Sequence, residues 1–283
     1  MQYNRNEFLK LVGLGFSGAA FLTTRSYASV PVSAAPAAAS LTLGLASYTF
    51  HEFGLDETIA MAKRVGLTHI ALKSMHLPLE SSSQEIKAAT SKIKAAGLTL
   101  YGAGVIYMKT PTEVDQAFEY AKQAGAKVII GVPDYSLLEH VNQKVQEYDI
   151  KLAIHNHGPG DDVYASPTTA YEKIKKLDPR MGLCIDIGHT QRIGEDPAAL
   201  AEKYQDRLFD VHLKDVTTST GDGVPLEIGR GVIDVPKFLR TLEKINYSGV
   251  VAFEYEKDGD DPLAGLAESV GYVRGILKMI QGS

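Results

Sequence analysis

The sequence predicts an α/β fold: a single (β/α)8 barrel of the TIM type behind an N-terminal export segment. Three observations carry that expectation. Apolar runs of strand length alternate with stretches of helical periodicity along the 283-residue chain, the pattern of a parallel sheet with crossover helices. Eight such runs recur at about thirty residues, the length of one βα unit, and eight strands suffice to close a barrel. The last four runs each end on an ionisable residue: His155 in Lys151-Leu-Ala-Ile-His-Asn-His157, Asp186 in Gly182-Leu-Cys-Ile-Asp-Ile-Gly-His189, His212 in Phe209-Asp-Val-His-Leu-Lys-Asp215 and Glu254 in Val250-Val-Ala-Phe-Glu-Tyr-Glu256. The carboxyl end of a buried parallel strand is where barrel enzymes carry their chemistry.

Residues 1–39 read as a signal peptide and spacer. Arg5 and Lys10 flank a polar start, residues 11–22 form a short apolar run, and Ser26-Tyr27-Ala28 or Val32-Ser33-Ala34 would suit a signal peptidase. The run is too short to span a bilayer, so no stable membrane insertion is expected after cleavage. Arg5-Asn6-Glu7-Phe8-Leu9-Lys10 resembles the twin-arginine signal with Asn6 in place of the second arginine, which leaves both that route and general secretion open. An exported, periplasmic protein is expected. From Ala34 an alanine-rich spacer around Pro36 leaves residues 40–283 for the barrel.

Within the body, strands are expected at residues 43–49, 68–72, 99–105, 127–132, 151–155, 182–186, 208–213 and 249–255. Helices over 56–65, 83–96 and 111–124 run into Gly66, Gly97 and Gly125, left-handed stops that return the chain to the next strand. Pro167, Pro197 and Pro236 mark helix starts, where a missing amide does no harm. The longest connection, residues 217–231, is rich in Thr, Gly and Asp and holds Glu227 and Arg230. As a βα loop on the catalytic face it is expected to cover substrate.

A net charge of −5 argues against general affinity for nucleic acid or anionic membrane and favours a small polar or neutral ligand. Cys184 stands alone, so no intramolecular disulfide is available and an exported fold would rely on its core.

Side chains two apart on a strand share a face, so His155 with His157, Cys184 with Asp186, His212 with Lys214, and Glu254 with Glu256 should all point into the barrel mouth. A lone strand-end histidine is usually a hydrogen-bonded core residue, but four convergent residues change that balance. His155, Asp186, His212 and Glu254 supply nitrogen and oxygen donors suited to one divalent ion, Zn, Mn, Fe, Co or Mg, and poor for Ca. On the opposite wall His51, Lys73 and His76 follow the first two strands and could bond a polar ligand, as could Arg230 in Ile228-Gly-Arg-Gly231. Tyr48 could stack on a ligand or simply pack.

These motifs resemble the xylose isomerase-like TIM barrels, a family of ketose 3-epimerases, hydroxypyruvate isomerases, inosose dehydratases and, more remotely, endonuclease IV. The resemblance runs from about residue 43 to residue 280 and is strongest at Cys184-Ile-Asp-Ile-Gly-His189, Val211-His-Leu-Lys-Asp215 and Phe253-Glu254. It implies that Asp186 and His212 bind metal, that His189 contacts substrate, and that Glu254 binds metal and moves protons. The fifth strand departs from the epimerases, which carry a glutamate where this chain has His155-Asn156-His157. Metal ligation survives that change, but one carboxylate of a two-glutamate proton exchange is lost.

The resemblance thus implies a divalent-metal-dependent sugar isomerase or epimerase working through a metal-stabilised enediolate. Glu254 is the candidate base, His157 or Glu256 the proton donor, and Lys214 a second positive charge. The alternative is a lyase or dehydratase, including a 3-keto-glycoside-cleaving enzyme, in which the same enediolate expels a leaving group. A phosphodiester endonuclease would need more His and Glu ligands than these strand ends supply, and a non-catalytic sugar-binding barrel would need no metal.

Overall fold

The computed structural model describes residues 41–282, so the expected export segment lies outside the described residues. Eight parallel strands close into a barrel: β1 (Thr42–Ala46), β2 (His69–Leu72), β3 (Thr99–Met108), β4 (Val128–Pro133), β5 (Lys151–His155), β6 (Met181–Asp186), β7 (Leu208–Leu213) and β8 (Val250–Phe253). Each strand pairs with the next in the chain, and β8 closes on β1 through Thr42 opposite Val250. Both faces of such strands are covered, which is why β4 and β6 are buried along their whole length.

Nine helices surround the barrel among the described residues: α1 (Leu55–Arg64), α2 (Ser83–Ala95), α3 (Pro111–Ala124), α4 (Leu138–Tyr148), α5 (Pro167–Ile174), α6 (Ile187–Arg192), α7 (Pro197–Lys203), α8 (Val235–Lys244) and α9 (Leu263–Gln281). Their ends follow local chemistry. Ser82 and Thr110 accept from the backbone N–H of Glu85 and Glu113, and those glutamates reach back to the cap amides, closing a capping box on α2 and α3. The first turn of α8 packs Val235, Phe238 and Leu239 into the core. None of the described helices is long and apolar enough to cross a membrane.

All eight expected strands are present, with altered ends. β1 stops at Ala46, and Ser47–Phe50 form a 3-10 turn. β3 runs on to Met108 past a register shift at Gly104, whose φ of 150° and tight approach to the Ile130 carbonyl exclude a side chain. The added length carries Tyr107 to the barrel mouth.

The long connection after β7, expected to cover substrate, is fastened at its start. Asp215–Val216 pair antiparallel with Pro225–Leu226, and the wholly buried Asp215 carboxylate accepts from the amides of Val216, Gly229, Gly231 and Ile233 at 2.9, 2.9, 3.0 and 3.3 Å. Glu227 accepts from Tyr255 Oη at 3.1 Å and Lys257 Nζ at 2.7 Å. The Arg230 guanidinium, expected over a ligand, instead grips Glu268 of α9 at 2.6 and 2.7 Å. One carboxylate therefore fastens the segment to the base of its own strand.

Asp215→Ala would strand four backbone donors, and we expect it to cost about 2–4 kcal/mol in urea unfolding. Arg230→Ala breaks only an exposed ion pair and is expected to cost under about 1 kcal/mol. Equal costs for the two would contradict this account of the loop.

Candidate metal centre

His155 closes β5, Asp186 closes β6 and His212 lies opposite Asp186 in the β6–β7 register, while Glu254 follows β8 with its N–H donating to Leu213 O at 3.1 Å. Strand alternation turns all four inward, and they are 1 %, 0 %, 1 % and 4 % exposed. One donor atom from each lies within 4.8 Å of the others. His155 Nε2 is 3.0 Å from His212 Nδ1, which is 3.0 Å from Glu254 Oε2, and His155 Nε2 is 3.7 Å from both Asp186 Oδ2 and Glu254 Oε2. Ligands at ~2.1 Å in a tetrahedron stand ~3.4 Å apart, so this spacing fits one small divalent ion.

Two further observations support the fit. Asp186 Oδ2 is buried with no aligned hydrogen-bond donor, although Lys214 Nζ stands obliquely 3.1 Å away. Lys214 Nζ also lies 3.1 Å from Glu254 Oε2 and 2.9 Å from Glu256 Oε1. Asp186 and Glu254 thus share one ammonium, which leaves the buried donor set with negative charge that a cation would balance. Soft ligands are few, so the donor set suits a first-row transition ion or magnesium.

The electrostatics follow from this crowding. Burial opposes the charge on Asp186, yet Lys214, His189 and His155 outweigh it and hold the carboxyl well below its usual range. Burial likewise opposes Glu254, but His212 and Lys214 keep it ionised. The Lys214 ammonium is desolvated, and Asp186, Glu254 and Glu256 more than compensate, raising it. Glu256 moves the other way: burial and neighbouring Glu254 raise it against the pull of Lys214. Burial and His155 lower His157 to about 4, and burial, helped by Lys214 and opposed by Asp186, lowers His189 to about 3. Both histidines are therefore neutral at physiological pH.

Above the four residues opens a cavity of about 270 Å³, walled by Tyr48, Lys73, Tyr107, His157, His189 and Glu256. His157 Nε2 lies 2.8 Å from Tyr107 Oη, and its Nδ1 lies 3.1 Å from Asp161 Oδ2 at an angle too oblique for a hydrogen bond. Lys73 Nζ donates to Val105 O at 3.2 Å and sits 5.3 and 5.8 Å from the Tyr48 and Tyr107 ring centres. A second cavity of about 470 Å³ shares Tyr107 and His157 with the first and reaches Asp134 and Asp162.

Two expected wall residues are placed elsewhere. His76 is buried with its ring committed, Nδ1 at 2.9 Å from Ser47 Oγ and Nε2 at 3.0 Å from Thr58 Oγ1, so it joins the first βα loop to α1 instead of facing the opening. His51 stacks on Tyr48 at 4.9 Å with Nδ1 3.0 Å from Tyr48 O, outside the cavity wall. Two contributors went unread. Tyr107 lay beyond the expected end of its strand. Asn156, inside the His-Asn-His motif, accepts from Asp186 N at 3.0 Å and donates to Thr190 Oγ1 at 3.2 Å, locking the ends of β5 and β6 together.

Known proteins share this architecture. The chain is 27 % identical over 166 residues to the rhizopine catabolism protein MocC of Rhizobium meliloti, covering 48 % of this chain and 49 % of that one. It is 27 % identical over 139 residues to inosose dehydratase of Lacticaseibacillus casei, covering 43 % and 45 %. The chain thus spans about half the length of the curated relatives it matches. Among solved structures, a protein from Parabacteroides distasonis superposes with a TM-score of 0.66 at 26 % identity, covering 84 % of this chain and 99 % of that one. The IolI protein with a bound zinc atom superposes at 0.71 and 16 % identity, covering 84 % and 99 %. The 3-keto-D-glucoside 4-epimerase YcjR of E. coli superposes at 0.69 and 16 % identity, covering 83 % and 99 %. The profile of the xylose isomerase-like TIM barrel family matches residues 59–276, and the chain belongs to that family.

Proposed function

We propose that this protein is a divalent-metal-dependent enzyme that isomerises or epimerises a keto-sugar through an enediolate. The observation that carries the reading is the convergence of His155, Asp186, His212 and Glu254, of which His155 and Glu254 line a cavity of about 270 Å³ with room for one sugar ring. An ion held by those four would polarise a substrate carbonyl and lower the cost of the charge that develops on it. The zinc bound by IolI supports the metal part of this reading and the epimerase name of YcjR the reaction, whereas the inosose dehydratase name favours the lyase alternative.

The chain's own residues divide the remaining work. Glu254 stays ionised beside Lys214 and is the base that takes the proton next to the carbonyl. Lys214 and neutral His189, 3.4 Å apart, face the oxygen on which charge accumulates. Proton return falls to His157, which as a neutral imidazole backed by Tyr107 first takes up a proton and then gives it back, or to Glu256, whose carboxyl pKa is raised by burial and by Glu254. Tyr48 and Lys73 line the far wall and orient the hydroxyls of the ring.

One observation favours the lyase reading as a second possibility. The outer cavity meets the inner one at Tyr107 and His157, which would seat a leaving group beyond His157. The composition of residues 1–39 further supports a periplasmic setting, where free sugar phosphates are scarce, and an uncharged glycoside suits it.

Elemental analysis of the purified protein should find about one divalent ion per chain, and Asp186→Ala or His212→Ala should weaken its binding at least ~100-fold. Retention of metal by both variants would sink the site. With that metal restored, a screen of keto-sugars and keto-glycosides in deuterated water should place deuterium at the carbon next to the carbonyl, with Glu254→Gln slowing the exchange by about 10²–10⁴. Interconversion of isomers marks the first reading. Release of an aglycone or water marks the second.

A further inference from the structure

We propose that Asp210 is a positioning residue for the metal site, holding the His212 imidazole with its proton on Nε2 so that Nδ1 is left to the ion. The inference rests on the metal reading above. Asp210 precedes His212 by two residues on β7, so alternation places both inside the barrel, and Asp210 is wholly buried. Its carboxylate accepts from Tyr101 Oη of β3 at 3.2 and 3.4 Å and from Cys184 Sγ of β6 at 3.6 Å. Among the described residues no lysine or arginine pairs with it, and the one basic group facing it is His212, whose Nε2 is 3.5 Å from Asp210 Oδ2.

A carboxylate buried this deeply without a full cation is costly, so its presence needs a compensating role. The two nitrogens of His212 supply one. Nδ1 faces the other donors, 3.0 Å from both His155 Nε2 and Glu254 Oε2, whereas Nε2 is buried with no aligned hydrogen-bond partner. A neutral imidazole carries one proton, and a metal-facing Nδ1 must not hold it. Asp210 offers that proton a place on the far side of the ring, and Tyr101 fixes the carboxylate by a bond independent of the site above. Metal-ligating histidines commonly depend on such a partner for tautomer, orientation and basicity.

The test uses the metal-free protein with Zn²⁺ and Mn²⁺ titrated against a chromophoric chelator, together with its melting temperature. Asp210→Asn keeps the shape and removes the charge. It is expected to bind metal about 10- to 100-fold more weakly than the parent while the metal-free melting temperature holds or rises, a split that a merely structural carboxylate would not give. Should the amide not be tolerated, apolar Asp210→Leu serves with the same expected loss. Affinity within threefold of the parent in a folded variant overturns the proposal. A parent that binds neither ion instead overturns the metal reading, and this inference with it.

Discussion

Burying two carboxylates, Asp186 and Glu254, at one end of a closed barrel is the constraint on which the rest of the site depends. Asp186 and Glu254 have little water to solvate them, and Lys214, in contact with both and with the partly exposed Glu256, balances only part of their charge. That imbalance explains why Asp186 keeps a carboxylate oxygen without an aligned donor, and why two imidazole nitrogens stand 3.0 Å apart beside it. A core arranged only for stability would have apolar residues here. The arrangement makes physical sense as a set of donors around a cation.

The scaffold serves this constraint through fixed, short-range devices. Asn156 ties the ends of β5 and β6, Asp215 gathers four amides at the base of the long hairpin, and His76 bolts the first loop to α1. Each satisfies buried polar groups that would otherwise be costly, and each holds a strand end close to its neighbour. The side that can accept a ligand is lined instead by Tyr48, Lys73, Tyr107 and His157, which are joined by ring and cation contacts with fewer hydrogen bonds.

Period-two alternation made the inward set legible, and it held at every pair it named: His155 with His157, Asp186 two beyond Cys184, Lys214 two beyond His212, and Glu256 two beyond Glu254. The same rule reached Asp210, two residues before His212, but an acid in mid-strand carried no signal until its neighbours across the barrel were visible. His51, His76 and Arg230 failed for a different reason. Each follows a strand or lies in a loop on the expected face, yet the direction of a loop side chain depends on partners distant in sequence, such as Glu268 for Arg230.

By itself the sequence determined the barrel, the order of its strands and the four residues at their ends, because strand period, helix caps and glycine stops are local physics written along the chain. Tertiary structure alone decided which loop residues face the cavity, that the long connection is fastened at its base, and that β3 extends far enough to bring Tyr107 to His157. Those outcomes rest on contacts between residues dozens of positions apart, and no local period encodes them.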